Sequence, residues 1–166
     1  ILGSAAPLGM PGPYLGRVIE VQHPGSVTDG ERDQTAIKMM IQRGMQQLVP
    51  EAETAVDAWR HFFGLGDRVG IKVVPVGMVH KPGADKSING PLVDLRRPGS
   101  ISSYEVVAEV VESLAQAGIR RNDILVFERY RNAFIQAGYT TMLPEGVHWE
   151  CSSTKVDSLQ LEIDGQ

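Results

Sequence analysis

The sequence predicts a layered α/β fold, a mostly parallel sheet with flanking helices. Three observations carry this. Two runs, Arg68–Val76 (RVGIKVVPV) and Asp123–Glu128 (DILVFE), have the short, nearly continuous apolar character of strands buried on both faces. Between them, apolar residues recur at helical spacing, most clearly Val106, Val107, Val110, Val111 and Leu114. Strand-like and helix-like segments also alternate along the chain, as consecutive β-α-β units require.

Taken in order, residues 1–16 (ILGSAAPLGMPGPYLG) read as an extended Gly/Pro-rich N-terminal arm without charge, and residues 17–166 as the α/β domain. Arg17–His23 (RVIEVQH) alternates like a strand, and Pro24-Gly25 ends it. Thr28-Asp29-Gly30-Glu31 fits a capping box opening a helix that carries Ile37, Met40, Ile41, Met45 and Leu48, closed by Pro50. A second helix is expected over Glu51–Phe63. Pro75 belongs at the carboxyl end of the strand Arg68–Val76, because proline removes a ladder donor. Gly77–Ser100 is a long irregular segment, of the kind that is often functional. Ser102-Ser103-Tyr104-Glu105 is a second capping box, and Gly118 a left-handed cap. After the strand at 123–128 come a short helix over 131–137, Gly138 as another cap, and weaker strands at 148–152 and 159–163.

The bulk numbers bound the function. A chain of 166 residues with 42% hydrophobic and 22% charged residues has the composition of a globular domain. Its net charge of −4 comes without a basic run, which argues against nucleic acid as a partner. No stretch approaches the ~20 apolar residues of a membrane span. The one cysteine, Cys151, excludes a disulfide within the chain and any cluster built from its own thiolates. His148 and Cys151 together are at most a fragment of a metal site, so no metal set is assigned, and no cofactor is named by any motif. The chain opens on Ile1, which reads as a processed or trimmed start. Leu159–Ile163 alternates like a strand without a successor, which reads as a chain whose sheet is completed by further C-terminal sequence.

Candidate chemistry follows from sheet geometry, since ligands collect at the carboxyl ends of parallel strands. The loop 23–30 offers His23 and Asp29 as acid–base groups, with Gly25, Ser26 and Thr28 as donors to an anion at a helix N-terminus. The alternative is an ordinary strand-to-helix turn in which Thr28 serves as a cap. Lys72, in an apolar strand, needs an anionic ligand or a partner, and Glu128 on a neighbouring strand is that partner in the structural reading. Glu128 is equally a candidate base, and Arg129 a carboxylate clamp. His61, beside aromatics, reads as packing.

Four blocks, HPGSVTDG (23–30), VGIKVVPVG (69–77), SSYEVVAEVVESLAQAG (102–118) and DILVFERYRNAFIQAGY (123–139), together resemble the domain of unknown function 362 family. The resemblance implies an exported bacterial protein, often with a twin-arginine signal, located in the periplasm or outside the cell. It also implies a chain about twice this length, with the site completed by the missing C-terminal half. Two readings follow. In one, the chain binds a small anionic ligand or metal at the strand-end loops and acts as an enzyme through His23, Asp29, Lys72 and Glu128. In the other it is a non-catalytic accessory subunit of a larger extracytoplasmic assembly, docking other protein chains through its arm and the 77–100 segment.

Overall fold

The computed structural model describes residue 14 and residues 16–75 and 102–153. The expected segments 77–100 and 159–163, and all of the arm except Tyr14 and Gly16, lie outside the described residues.

The centre of the fold is a three-stranded parallel sheet in the order β3 (Val69–Lys72), β4 (Ile124–Tyr130), β5 (His148–Ser153). Val69 pairs with Ile124 and Lys72 with Phe127, while Leu125 pairs with His148 and Glu128 with Cys151. This in-step register puts Val69, Ile71 and Val73 on the same face as Ile124, Val126 and Glu128, and as Trp149 and Cys151.

All of the described helices that reach the sheet do so on that face. The α3 helix (Tyr104–Ala117) lies in the crossover from β3 to β4, and α4 (Arg131–Gln136) with α5 (Tyr139–Met142) in the crossover from β4 to β5. Right-handed crossovers between successive neighbours in one direction necessarily stack on one side. Two core clusters result. Val111, Leu114 and Trp59 pack on Val69 and Ile124, while Val107, Phe134 and Tyr139 pack on Val73 and Val126. On the opposite face Gly70, Lys72, His148 and Glu150 are exposed, and Phe127 retains 37% of its surface.

Outside α3 lie α1 (Gln34–Leu48) and α2 (Ala55–Phe62). Helix α2 opens on the reciprocal pair Thr54–Asp57, a complete capping box that starts the helix four residues later than the expected Glu51. Gly118 ends α3 at φ 111°, as expected, and a Cβ there would stand 2.6 Å from Leu65 Cδ2. No helix among the described residues is long and apolar enough to cross a membrane.

Three local expectations are corrected. Thr28 does not cap α1. It belongs to β1 (Val27–Thr28), which pairs with β2 (Glu31–Arg32) as an antiparallel hairpin, with Asp29 at φ 53° and Gly30 at φ 81° forming its two-residue turn. Two successive positive φ values make a type I′ turn, for which Asp-Gly is a preferred sequence. The cap of α1 is Asp33, whose side chain accepts from Ala36 N at 2.6 Å. Residues 17–23 alternate in burial as a strand would, but join no sheet among the described residues. At the start of α3 the cap residue is Ser103, which makes no capping bond. Its hydroxyl donates instead to Glu105.

Among the described residues, one buried side-chain donor is unpaired. Trp59 is 8% exposed and its Nε1–H has no partner. Trp59→Phe removes that donor, whose burial costs about 1–3 kcal/mol, at the expense of a small cavity. The expected net change in stability by urea unfolding is within about 1 kcal/mol. A loss of about 3 kcal/mol or more would show that the indole is satisfied in solution.

Candidate functional site

The carboxyl ends of β3 and β4 bring two of the sequence-predicted residues together. Lys72 Nζ donates to Glu128 Oε2 at 2.5 Å and to the Val73 carbonyl at 2.7 Å. Glu128 is 6% exposed, an unusual degree of burial for a carboxylate, and its other oxygen accepts from Arg129 N at 2.7 Å. Each carboxylate oxygen therefore accepts one hydrogen bond. The Lys72 side chain keeps 46% of its surface, and an ammonium has a third N–H beyond the two donated here. The arrangement orients a lysine more than it prepares a base.

The N-terminus of α3 closes over this end of the sheet. Ser102 N donates to the Val74 carbonyl and Ser102 Oγ accepts from Val74 N, so the helix start is tied to the chain leaving β3. The Ser102 carbonyl in turn accepts from Tyr139 Oη at 2.5 Å. Tyr139 is 1% exposed, and burial pushes its phenol up to about 12. Among the described residues, the N–H groups of Tyr104, Glu105 and Val106 donate to no side chain or carbonyl. They lie in the first turn of a 14-residue helix, where aligned peptide dipoles leave partial positive charge. Arg32, from β2, reaches Glu105 at 3.7 Å, which brings the hairpin to the same end of the fold. Arg129 and Arg131 follow Glu128 and lie over the rings of Tyr130 and Trp149.

The other sequence candidates make different bonds. His23 is occupied in its own turn: its Nδ1 accepts from Gly25 N, and its carbonyl accepts from both Ser26 N and Ser26 Oγ. Gly25 and Ser26 thus serve a tight turn, and the loop leads into a hairpin rather than a helix, so the anion cradle expected at 23–30 is not formed there. Asp29 sits exposed at the hairpin tip and Thr28 is exposed in β1. Among the described residues, hydrogen bonds and ion pairs join Lys72 to Glu128 and join neither His23 nor Asp29 to that pair. The signal for the missed member, Tyr139, is a tyrosine within an apolar stretch, whose hydroxyl needs a partner once buried.

His148 and Cys151, three residues apart on β5, fall on opposite faces of the sheet. Burial is the main cause pushing the Cys151 thiol up, which disfavours the thiolate. Among the described residues no three His, Cys, Asp or Glu side chains are grouped to hold a metal ion. His61, read as packing, is exposed. Its Nε2 and the Glu51 carboxylate each lie 3.1 Å from Tyr14 Oη, so at Tyr14 the end of the arm rests on its own domain. No family model, curated protein or solved structure matches the chain.

Proposed function

We propose that the carboxyl end of the sheet binds a small anionic ligand, a carboxylate or phosphate, between the Lys72 ammonium and the first-turn amides of α3. The observation that carries this is the Lys72–Glu128 pair. A buried carboxylate, accepting at both oxygens, holds a half-exposed lysine at the end of β3, and the chain leaving that strand is tied through Ser102 to the start of α3, where no side chain caps the helix among the described residues. Glu128 acts as the orienting partner, which lowers the entropy lost when the lysine meets a ligand. No reaction step is assigned to His23 or Asp29. The same reading keeps the chain as the N-terminal part of an exported protein resembling the domain of unknown function 362 family.

Calorimetric titration with inorganic phosphate and with malonate tests the site. The intact chain is expected to bind at least one of them saturably, and Lys72→Met to bind it about tenfold or more weaker, since a charge-assisted hydrogen bond is worth about 1.5–3 kcal/mol. Equal affinities in a Lys72→Met protein with an unchanged circular-dichroism spectrum, or no saturable binding by the intact chain, would remove the proposal.

A further inference from the structure

Residues 17–23 are the part of the fold whose backbone is least accounted for. Their burial alternates with a period of two: Ile19, Val21 and His23 turn partly inward, while Val18, Glu20 and Gln22 are exposed. Val21 packs over α1, its Cγ2 lying 3.4 Å from where a Cβ on Gly44 would stand. The segment thus shows strand-like alternation and sits on a helix. Yet among the described residues the N–H groups of Val18, Ile19, Glu20, Val21 and Gln22 donate to nothing, and their carbonyls accept nothing. A row of unpaired backbone groups beside a packed face is the chemical signature of an open strand edge.

A groove runs between this edge and one stripe of α1. It is formed by two adjoining cavities of about 690 and 380 Å³ that share Arg43 and Gln46 as wall. Ile19 and Pro50 line one end, Val21 and Met39 the other. The lining contains Arg17, Arg43 and His23 and no aspartate or glutamate. Arg17 donates to the Leu48 carbonyl. Arg43 makes no hydrogen bond or ion pair among the described residues. The groove therefore offers ladder donors and acceptors on one side, apolar contacts at both ends, and between them the positive charge of Arg43, with Arg17 beside it in the field of Glu51 and over the Tyr14 ring. Each feature selects the same kind of occupant. The free ladder selects an extended strand, the apolar ends select alternate apolar side chains, and the arginines select carboxylates.

We propose that this groove takes an extended acidic peptide segment of another protein, added as a strand to the 17–23 edge. Main-chain bonds to the edge supply affinity, and Arg17 and Arg43 choose acidic sequences over basic ones. This surface is separate from the anion site at the sheet's carboxyl end and does not depend on it.

The test uses three synthetic peptides on the full chain: a capped heptapeptide alternating valine and glutamate, its lysine counterpart, and the acidic peptide N-methylated at alternate residues. The acidic peptide is expected to bind saturably, with the other two weaker by about tenfold or more. In Arg43→Glu, with its circular-dichroism spectrum unchanged, the preference between acidic and basic peptides should reverse. Hydrogen exchange should show the amides of 18–22 exposed in the isolated chain and protected in the complex. No binding of the acidic peptide, or equal binding of its N-methylated form, overturns the proposal. So does protection of 18–22 in the peptide-free protein, whether sedimentation shows a monomer covered by its own chain or a pair of copies.

Discussion

Phe134→Ala is expected to lower the unfolding free energy by about 3–5 kcal/mol, the range for removing a fully buried aromatic ring. Phe134 is 0% exposed and stacks between Tyr139, with ring centroids 5.0 Å apart, and Trp149, at 5.4 Å. Its position explains why the loss should reach the upper part of that range. Helix α4 has six residues, too few to hold a helical conformation by its own hydrogen bonds. It stays in place because Phe134 inserts among Val73, Val107 and Val126. Removing the ring leaves a cavity that the sheet, fixed by two parallel ladders, has little freedom to collapse into. Urea unfolding followed by tryptophan fluorescence and circular dichroism would measure the loss. A change under about 1 kcal/mol would mean that the crossover is anchored by something other than this side chain.

The second large effect is alkaline. The phenol of Tyr139, buried and donating to the Ser102 carbonyl, ionises at about 12 in the folded chain, against an ordinary value of 10.0. The sign follows from the raised value. Below pH 10 the group is protonated in both states, and the full contribution is present. As pH rises through the window from 10 to 12 the unfolded chain loses the proton first, and stability falls, by on the order of 1 kcal/mol per pH unit. Tyr139→Phe should be less stable at neutral pH by about 1 kcal/mol, because the Ser102 carbonyl loses its donor, but should lack this alkaline slope. Denaturant melts of both proteins across pH 9–12 provide the comparison. Parallel slopes would show that other groups govern the alkaline loss.

The parts of this fold that local rules determine were legible from the residues. Val107, Val111 and Leu114 recur on the buried face of α3 as their spacing requires, and Gly118 caps it. β4 follows from a run of β-branched and aromatic residues that leads directly into α4. Two failures came from competing partners, one local and one distant. Thr28-x-x-Glu31 satisfies a capping box, but the Asp29-Gly30 turn inside it and the better-placed Asp33 win, because a hairpin uses the positive φ that those two residues tolerate. Ser102 likewise has the sequence of a cap but is taken by Val74, a contact 28 residues away that no local pattern encodes. The segment 17–23 shows a different limit: alternation specifies which side chains turn inward, and says nothing about whether a neighbouring strand exists.

The candidate site divides along the same line. Lys72 and Glu128 could be matched because each lies toward the carboxyl end of an apolar run in a parallel sheet, and the observed register, Lys72 beside Phe127, leaves them one residue out of step. His23 and Asp29 share with them only a place in a strand-end loop: His23 closes its own turn and Asp29 stands at the tip of a hairpin. The role of Ser102 as the hub between Val74 and Tyr139 required the tertiary fold.

The one-sided winding of the sheet also bears on the order in which the chain folds. The β4–β5 ladder joins Leu125 to His148, 23 residues apart, whereas the β3–β4 ladder joins Val69 to Ile124, 55 apart. Closing the longer loop costs about 0.8 kcal/mol more in chain entropy. The shorter unit also carries its own aromatic stack, from Phe134 to Trp149, so it gains buried contacts as soon as it closes. Loop closure thus favours residues 124–153 as the first piece of sheet to assemble, with β3 and the helices ahead of it docking onto an edge already formed.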